Sequence, residues 1–431
     1  MAFGLLNIPD TESGYYNMDI PSQSGTLTYN GANQTPAWNY YDANKMTIAV
    51  TAQKNVGTYT ATFTPIDPYI WSDNTVTPKE VSWTIAKANS SFTLSAASVS
   101  LTSSEMSKEI TVTKTGTTGA VTATSSNTDV ATVTVSGNKI TITAVKTGSA
   151  TITVKVAGDS NYNAPANKTI AVTCKVVSTT LSENTPAQIK EIAQAGQAAN
   201  YWKPGDTIDI PINGTVGVLD INGTYKAVIL GINHNQSIEG NGVHFIVGKN
   251  SNGKNIAFCD SKYGSSETAV AFQMNNTNTN SGGWENSYMR KTICAAFLSS
   301  LPTEWRNAIS PCIKYTDNTG GDADTASYVT QTSDKIFLLS EFETHGSRTY
   351  ANSGEQNKQM QYEYFKNGNN KIFYRHNSTG TVANWWLRSA SKYKSNSLSQ
   401  AISRFCHIGA GTTVTEGNAA YSHGFVPAFK L

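Results

Sequence analysis

Short segments in which apolar and hydroxyl side chains alternate residue by residue constrain the fold of the N-terminal part of this chain most strongly. Such runs occupy Gly57–Pro65 (GTYTATFTP), Val81–Ile85 (VSWTI) and Ala150–Val156 (ATITVKV). Because successive side chains of a β-strand point to opposite faces, the pattern predicts strands with one buried and one solvated face. Many such strands at even spacing, separated by turns, are typical of β-sandwiches.

A length of 431 residues fits two to four domains. The patterning predicts an arm over residues 1–14, one β-sandwich over 15–88 and a second over 89–178. Residues 86–89 form the link between the two sandwiches. In the second sandwich, apolar alternation on both sides of Ser136-Gly137-Asn138 predicts a hairpin. The fold class is mostly β with a mixed α+β domain over 184–431.

Composition narrows the classes of partner. Charged residues make up 14% of the chain and the net charge is +2, which disfavours a nucleic-acid-binding surface. The five cysteines are scattered without a CxxC pair, which disfavours a metal ribbon or a redox motif and favours buried thiols in a reducing cytoplasm. We expect no cofactor.

The chain begins Met-Ala-Phe-Gly-Leu-Leu and shows neither a basic signal-peptide start nor an apolar run of membrane-spanning length. We therefore expect no membrane insertion. A virion protein, assembled in the host cytoplasm and released by lysis, fits this start together with the predicted β-sandwiches. A secreted protein that has lost its leader is the alternative.

Two segments of the second sandwich carry a family resemblance. Ser126–Val133 (SNTDVATV) followed by Gly148–Val154 (GSATITV) resembles the bacterial Ig-like domains of intimin and invasin. Thr28–Gly31, Gly57–Phe63 and Tyr69–Asp73 look like a further Ig-like repeat of the kind found in phage tail and Gram-positive surface proteins. The resemblance implies a fold but no chemistry, since sandwiches carry many functions.

Helical signals first arise after residue 184. In Asn184–Asn200, Pro186 lies near the start and Ile189, Ile192 and Ala193 form an apolar stripe. A second helix is predicted over Glu285–Leu301. Strands are predicted at Ala227–Ile232 and Lys335–Ser340.

Residues 184–431 resemble a phage and Firmicutes surface-protein family of unknown function. The markers of the resemblance are Tyr201–Asp206 (YWKPGD), Gly231–Asn235 (GINHN), Gly282–Arg290 (GGWENSYMR), Leu338–Glu343 (LLSEFE), Trp385–Ala390 (WWLRSA) and Gly424–Phe429 (GFVPAF). The last two are similar to the end of C-type-lectin-like domains. As structural markers we take Trp202, Asp206, Trp284, Arg290, Trp385, Trp386, Arg388, Phe425 and Phe429.

A metal site can be drawn from His234, Glu239 and His244, but their spacing through a Gly-rich loop matches no standard ligand pattern. Structural hydrogen bonding is the favoured interpretation. The Glu-Pro-Asn, Gln-Pro-Asp and Trp-Asn-Asp motifs of calcium-dependent lectins do not occur in the sequence. We therefore predict no metal.

Several charged and aromatic residues admit a catalytic interpretation and a structural one. An acid/base pair can be drawn from Glu285 with Arg290, or from Glu341 with Glu343. An ion pair between Glu285 and Arg290 that positions a helix is favoured.

Trp385 and Trp386 could stack on sugars. However, neighbouring residues on a strand face opposite ways, so at least one of the two should lie in the core. Arg388, in an apolar run, needs a carboxylate or carbonyl partner if it is buried.

The segment between Ser391 and His423 is the candidate binding surface. Its candidate ligand contacts are Tyr393, Asn396, Arg404, His407, Asn418 and Tyr421. Tyrosine, asparagine and arginine on a loop resemble the residue choice of adaptable binding surfaces, and C-type-lectin-like domains carry ligand contacts at this place. An ordinary solvated loop is the alternative.

Three classes of function remain. The first is a non-enzymatic virion protein (tail fibre, baseplate or head decoration) that attaches to a glycan or protein on the host surface and contacts other virion proteins. The second is a secreted bacterial adhesin. The third, a hydrolase, lacks a nucleophile or acid/base motif in the sequence. The oligomeric state, including a homo-oligomer, is left open.

Overall fold

The computed structural model describes residues 14–265, 272–392 and 402–431. The chain is mostly β, with helices in its C-terminal region, as the sequence predicts. It divides into two compact units, one ending at Val176 and the other beginning at Val177. Each unit has its own apolar cores.

The first module of the N-terminal unit consists of eight short strands. They are β1 (Tyr16–Met18), β2 (Ser22–Ser24), β3 (Leu27–Thr28), β4 (Ala37–Asn39), β5 (Met46–Ala49), β6 (Gly57–Pro65), β7 (Tyr69–Trp71) and β8 (Lys79–Ala86). The main sheet has the order β3-β8-β6-β5, and the pairs β1-β7 and β2-β4 form small sheets. The inward residues Ala61, Phe63, Trp83 and Ile85 are buried, which confirms the predicted alternation.

The second module is a sandwich of two four-stranded sheets around one core. Its strands are β9 (Ser91–Leu94), β10 (Ser98–Thr102), β11 (Ser107–Thr115), β12 (Val121–Ser125), β13 (Ala131–Ser136), β14 (Lys139–Ala144), β15 (Gly148–Val156) and β16 (Lys168–Lys175). The sheets have the orders β10-β16-β15-β12 and β13-β14-β11-β9. The predicted hairpin is confirmed as β13-β14, and Gly137 in its turn has a φ of 59°, which glycine adopts without strain.

The link between the two modules is hydrogen-bonded on both sides to a loop of the second module. The Ala88 amide donates to the carbonyl of Asn161 at 3.0 Å, and the Asn163 amide donates to the carbonyl of Ala88 at 2.8 Å. The Asn161 side chain also accepts from the Val56 amide of the first module at 3.0 Å. The link is therefore held by a loop of the second module, and the same loop is hydrogen-bonded to the first module.

The C-terminal unit places several small sheets and short helices around one large core. Its helices are α1 (Pro186–Gln194), α2 (Gln236–Glu239), α3 (Gly283–Asn286), α4 (Cys294–Ser300), α5 (Thr303–Ala308), α6 (Glu341–His345) and α7 (Glu363–Lys366), with 3-10 turns at Leu181–Glu183, Ala198–Asn200, Ala326–Tyr328 and Ser353–Asn357. Its strands are β17 (Thr207–Val216), β18 (Leu219–Ile232), β19 (Val243–Asn250), β20 (Ile256–Ala257), β21 (Cys312–Asp317), β22 (Val329–Asp334), β23 (Phe373–Arg375), β24 (Ser378–Ala383), β25 (Trp385–Ala390), β26 (Arg404–Ile408), β27 (Val414–Asn418) and β28 (Ala428–Lys430). The sheets have the orders β17-β18-β19-β28, β20-β23-β24, β21-β22 and β25-β26-β27.

Local sequence explains the first helix, α1. Thr185 and Gln188 form a capping box at its start, Pro186 occupies the first turn, and Ile189 and Ile192 are buried. Helix α1 confirms the main part of the helix predicted over Asn184–Asn200.

Two predicted elements differ from the observed ones. The helix predicted over Glu285–Leu301 is divided: α3 ends at Asn286, and a π-helical turn Met289–Ile293 then leads into α4. The strand predicted at Lys335–Ser340 is wrong, because this apolar segment is extended but makes only the single bridge Phe337–Ala428 to a neighbouring strand. It is buried among side chains rather than paired in a sheet.

The last residues of the sequence lie in the middle of the C-terminal core. Strand β28 pairs with β19, and Phe425, Val426 and Phe429 have no exposed surface. The Phe429 ring stacks on Phe245 with centroids 5.3 Å apart. The final segment is therefore part of the core of its unit.

Candidate functional site

The core of the C-terminal unit contains a buried ionic cluster centred on Lys314 of β21. Its ammonium donates to Glu239 Oε2 at 2.9 Å, to Glu343 Oε1 at 3.0 Å and to the Tyr362 hydroxyl at 2.9 Å. Burial alone would lower the pKa of Lys314, but the adjacent negative charges, those of Glu239 and Glu343 included, raise it well above its usual value. Lys314 is therefore a charged, fully coordinated ammonium ion.

Arg388 of β25 completes the cluster. Its guanidinium binds Glu343 at 2.5 and 2.9 Å and also donates to the Thr316 hydroxyl and to the carbonyl of Leu338. Burial disfavours the charged carboxylate of Glu343, yet Arg388 and Lys314 together lower its pKa. The cluster therefore holds two cations against the carboxyl groups of Glu239 and Glu343, and Arg388 has the carboxylate partner that burial requires.

The helix ends explain how the two glutamates reach the cluster. Glu343 is the third residue of α6, where its carboxylate also accepts from the Ser340 amide in a capping box. Glu239 is the last residue of α2, which follows two asparagines with left-handed backbones, Asn233 and Asn235. Burial raises the pKa of Glu239, and Lys314 opposes the shift.

His234, Glu239 and His244 do come together, as the metal hypothesis required. His244 Nδ1 lies 2.9 Å from the Tyr362 hydroxyl and 3.5 Å from Glu239 Oε2, while the His234 ring stacks on Tyr362 at 3.8 Å. Ligand-type atoms of His234, Glu239 and Glu343 all lie within 4.8 Å of one another, as do those of Glu239, His244 and Cys312. The Lys314 ammonium, however, lies between the carboxylates at hydrogen-bonding distance, where it already supplies a positive charge.

The two imidazoles of this cluster are neutral groups. Burial lowers the pKa of His234 to about 3 and that of His244 well below its usual value, and the positive charge of Lys314 acts in the same direction. The Nε2 atoms of both rings are buried and have no hydrogen-bond partner among the described residues. Protonation of either ring would add a charge next to Lys314.

Two further buried carboxyl groups, that of Glu341, which was considered for acid/base chemistry, and that of Glu355, which was not, bind backbone amides or neighbouring side chains. Glu341 accepts from the amides of Tyr350 and Ala351 and from that of Thr349. Burial raises the pKa of Glu355 to about 7, and its carboxyl group contacts the Ser389 hydroxyl at 2.7 Å.

The ion pair predicted between Glu285 and Arg290 is wrong. Arg290 Nε binds Asp334 at 2.6 Å and reaches Glu285 only at its backbone carbonyl. Asp334 also accepts from the indole of Trp284 at 3.0 Å. Arg290 positions the start of the helical segment, as expected, but its carboxylate partner comes from β22.

The remaining structural markers lie in the core, except Asp206, which is partly exposed. Trp385 and Trp386 are both fully buried, so neither forms an exposed stacking platform. The Trp202 indole donates to the carbonyl of Ser178, and Asp206 accepts from the Lys203 amide.

The segment predicted to bind ligand is a β-hairpin over part of its length rather than a long loop. Arg404 and Asn418 face each other across the strand pair β26-β27. Arg404 is ion-paired with Glu416, which also accepts from the Ser391 hydroxyl at 2.6 Å. Tyr421 is half-buried against the core. Tyr393 and Asn396 lie outside the described residues.

His407, also among the predicted contacts, is buried, which corrects the expectation that it lies on the surface. Its ring packs against Trp386 and His423, with centroids 5.6 and 4.6 Å away. Burial lowers the pKa of His407 to about 3 and that of His423 to about 4. A Cβ on Gly417 would lie 2.9 Å from His423 and 3.0 Å from His407, so this close approach requires glycine.

An open cavity of about 360 Å³ lies beside the start of β26. We call it the Asn280 cavity; its lining residues are Thr279, Asn280, Ser281, Thr319, Gly320, Gly321, Asp322, Ala323, Tyr328 and Ile402. Asn280 fixes one wall of this cavity. Its side-chain NH2 group donates to the carbonyls of Gly321 and Arg404 at 3.3 Å, and its side-chain oxygen accepts from the Gly321 amide at 2.8 Å. The cavity thus borders the predicted binding segment.

Sequence reasoning missed both Lys314 and the Asn280 cavity. The one available signal for Lys314 is its position: in CIKYTD it shares a strand face with Cys312 and Thr316, which are buried. An inward lysine on a strand implies buried carboxylates. The residues of the Asn280 cavity come from separated segments and share no motif.

Comparison with known families supports the C-terminal assignment in part. A family model described as "Domain of unknown function (DUF6273)" matches residues 255–431. The markers at Tyr201–Asp206 and Gly231–Asn235 lie before this region. No curated protein matches the chain.

Several solved structures are similar to part of the chain. Domains 4 and 5 of the S-layer protein SbsC are 17% identical, with 36% of this chain and 96% of that chain covered and a TM-score of 0.19. Fibronectin(III)-like modules of Clostridium thermocellum CbhA are 12% identical over 36% and 95%, with a TM-score of 0.17. The D00–D0 domain of intimin is 12% identical over 35% and 99%, with a TM-score of 0.16. In the part of the chain that the structure describes, no helix has the length and apolar character needed to cross a membrane.

Proposed function

We propose that this chain is a non-enzymatic surface-display protein whose C-terminal unit attaches to a host surface while the two β-modules act as a spacer. The observation that carries the proposal is the Asn280 cavity, an open concavity with both polar and apolar lining groups, on a fixed frame next to the predicted binding segment. Rigid support for adaptable polar contacts is what a recognition surface needs.

The state of the buried charges favours attachment over catalysis. Glu343 is bound by Lys314 and Arg388, and Glu341 by backbone amides. A general base needs a free lone pair within reach of its substrate, whereas these carboxylates serve to join α2, α6, β21 and β25. Their role in the proposal is to make the frame rigid.

We place the protein on a bacteriophage particle, as a tail-fibre, baseplate or head-decoration component. All five cysteines are buried free thiols, which suits folding in a reducing cytoplasm. A secreted bacterial adhesin is the second candidate, favoured by the two successive β-modules. A hydrolase ranks below both.

The test compares the two units on cells. Fluorescently labelled protein containing residues 177–431 should bind to a susceptible bacterial strain, and a fragment ending at Val176 should not. The fragment is a suitable control because each unit has its own core. Equal binding by both, or binding by neither across a panel of strains, would remove the attachment role from the C-terminal unit.

A further inference from the structure

The Asn280 cavity is lined by chemical groups of the types that bind small polyhydroxylated molecules. One carboxylate, Asp322, stands among the hydroxyl side chains of Thr279, Ser281 and Thr319. Tyr328 is half-buried and Ile402 is 40% exposed, so the cavity also has an aromatic and an aliphatic surface. Carboxylate oxygens accept hydrogen bonds from sugar hydroxyls, and an amphipathic ring packs on the C–H face of a pyranose.

The frame behind these groups is fixed by a second buried ion pair. Lys392 donates to Asp317 at 2.8 Å and to the carbonyl of Gly320 at 2.9 Å, and Asp317 accepts from the Thr319 and Gly320 amides. A Cβ on Gly320 would lie 2.0 Å from the carbonyl oxygen of Asn280, so the turn and the opposite wall are in close contact. Such a wall is already in its final shape before a ligand arrives, which reduces the entropic cost of binding.

The charge distribution selects among ligands. The Lys392 ammonium is bound by Asp317 and by backbone carbonyls, so it offers little attraction to an anion in the cavity. Asp322 adds a negative charge, which disfavours acidic sugars and phosphates.

Calcium is disfavoured as well, because it takes six to eight oxygen ligands and normally several carboxylates. Asp322 is the single carboxylate of the lining, and the neighbouring Asp324 is bound by Arg348 at 3.2 Å and by the Ser353 amide at 2.6 Å.

The size of the Asn280 cavity favours a glycan over a protein as its ligand. A volume of about 360 Å³ lies at the lower end of small-molecule pockets, which span roughly 300–1,000 Å³. A protein partner would need a contact of roughly 800 Å² on each side, over a much wider surface than this concavity.

We propose that the Asn280 cavity binds a neutral pyranose unit of a surface glycan without calcium, with Asp322 as hydrogen-bond acceptor and Tyr328 as stacking surface. This inference rests on the attachment function proposed above and names the class of its ligand.

The experiment uses the full chain and cells that bind it. Mild periodate, which cleaves the vicinal diols of sugars, should abolish binding, whereas protease treatment of the cells and addition of EDTA should leave it unchanged. Soluble neutral polysaccharides (a glucan, a mannan and a galactan) serve as competitors, and at least one should inhibit binding.

Tyr328→Ala and Asp322→Asn should each weaken binding about tenfold or more. Tyr40→Ala and Asp19→Asn, matched changes at exposed residues of the first module, should leave binding unchanged. Asp322→Asn keeps the test valid if Tyr328→Ala lowers the melting temperature.

The outcomes separate the two proposals. Binding that survives periodate, that protease or EDTA removes, that no polysaccharide inhibits, or that both cavity variants retain in full overturns the neutral-glycan inference while the attachment function stands. If the wild-type chain binds no cells at all, the attachment function fails first.

Discussion

Acidification should unfold the C-terminal unit well before it affects the N-terminal unit. All six histidines of the chain lie after residue 233, and His234, His244, His407 and His423 are buried with lowered pKa values. An unfolded histidine, with a pKa of about 6.5, takes up a proton near pH 6, whereas the folded ones do not. Because the unfolded state then binds more protons, the free energy of unfolding falls as the pH falls through this range.

The size of the effect follows from proton linkage. Three buried histidines, His234, His407 and His423, have folded pKa values of about 4 or below, and for each of them going from about pH 7 to about pH 5 costs about 1.9 kcal/mol, or about 6 kcal/mol for the three. His244 adds a further loss in the same direction, because its pKa is also lowered by burial. Glu355 acts in the opposite direction, because its folded pKa of about 7 exceeds the unfolded value. It therefore increases the free energy of unfolding by about 2 kcal/mol over the same pH range. Glu239 also has a raised pKa and offsets a further part. The net loss of about 4 kcal/mol, which His244 increases and Glu239 reduces, is a large share of the roughly 5–15 kcal/mol that stabilises a domain.

The assay is urea denaturation of residues 177–431, followed by tryptophan fluorescence at about pH 7 and about pH 5. The fragment ending at Val176 is the internal control, since it contains no histidine. His407→Phe, which keeps a ring against Trp386, should reduce the pH-dependent loss by about 2 kcal/mol. If the C-terminal unit is equally stable at both pH values, the buried neutral histidines are misassigned.

Three further predictions concern the core of the C-terminal unit. Lys314→Met should lower the free energy of unfolding by about 3–5 kcal/mol, because it leaves Glu239 and Glu343 with one cation in place of two; a melting temperature equal to wild type would show that the cluster is not charged as described. Deletion of Gly424–Leu431 should abolish folding, because each of several buried side chains contributes about 2–5 kcal/mol, and a truncated unit that melts cooperatively would contradict the central position of β28. A chelator should leave the melting temperature unchanged, because Lys314 already neutralises the carboxylates, and a fall of several degrees would restore the metal interpretation of His234, Glu239 and His244.

Sequence patterns predicted the N-terminal unit better than the C-terminal one, for a physical reason. The alternation in Gly57–Pro65 and the turn at Gly137 are local signals, and the strands they predict are present with the expected inward faces. The segment at Lys335–Ser340 is equally apolar, but it is enclosed by side chains from distant segments and has no strand partner beyond one bridge. Composition alone does not distinguish a buried extended segment from a paired strand.

The candidate site, too, could be predicted from the sequence only in part. The need of Arg388 for a carboxylate partner was predictable, since a buried guanidinium must be paired. Which carboxylate it binds was not, because Glu343 lies 45 residues away and reaches it through the start of a short helix. His407 was taken for a surface residue because it lies within the long polar segment between Ser391 and His423, whereas in the sheet it is paired with Trp386. The Asn280 cavity is assembled from four separated segments and leaves no local pattern.

The central claim, attachment through the C-terminal unit, is tested most directly by competition for adsorption. Host cells are saturated with purified residues 177–431, and the adsorption rate of particles that carry the full chain is then measured. The account predicts that adsorption slows by about tenfold or more at saturation, while the fragment ending at Val176 has no effect. Particles that adsorb at an unchanged rate to cells saturated with the C-terminal unit would contradict it.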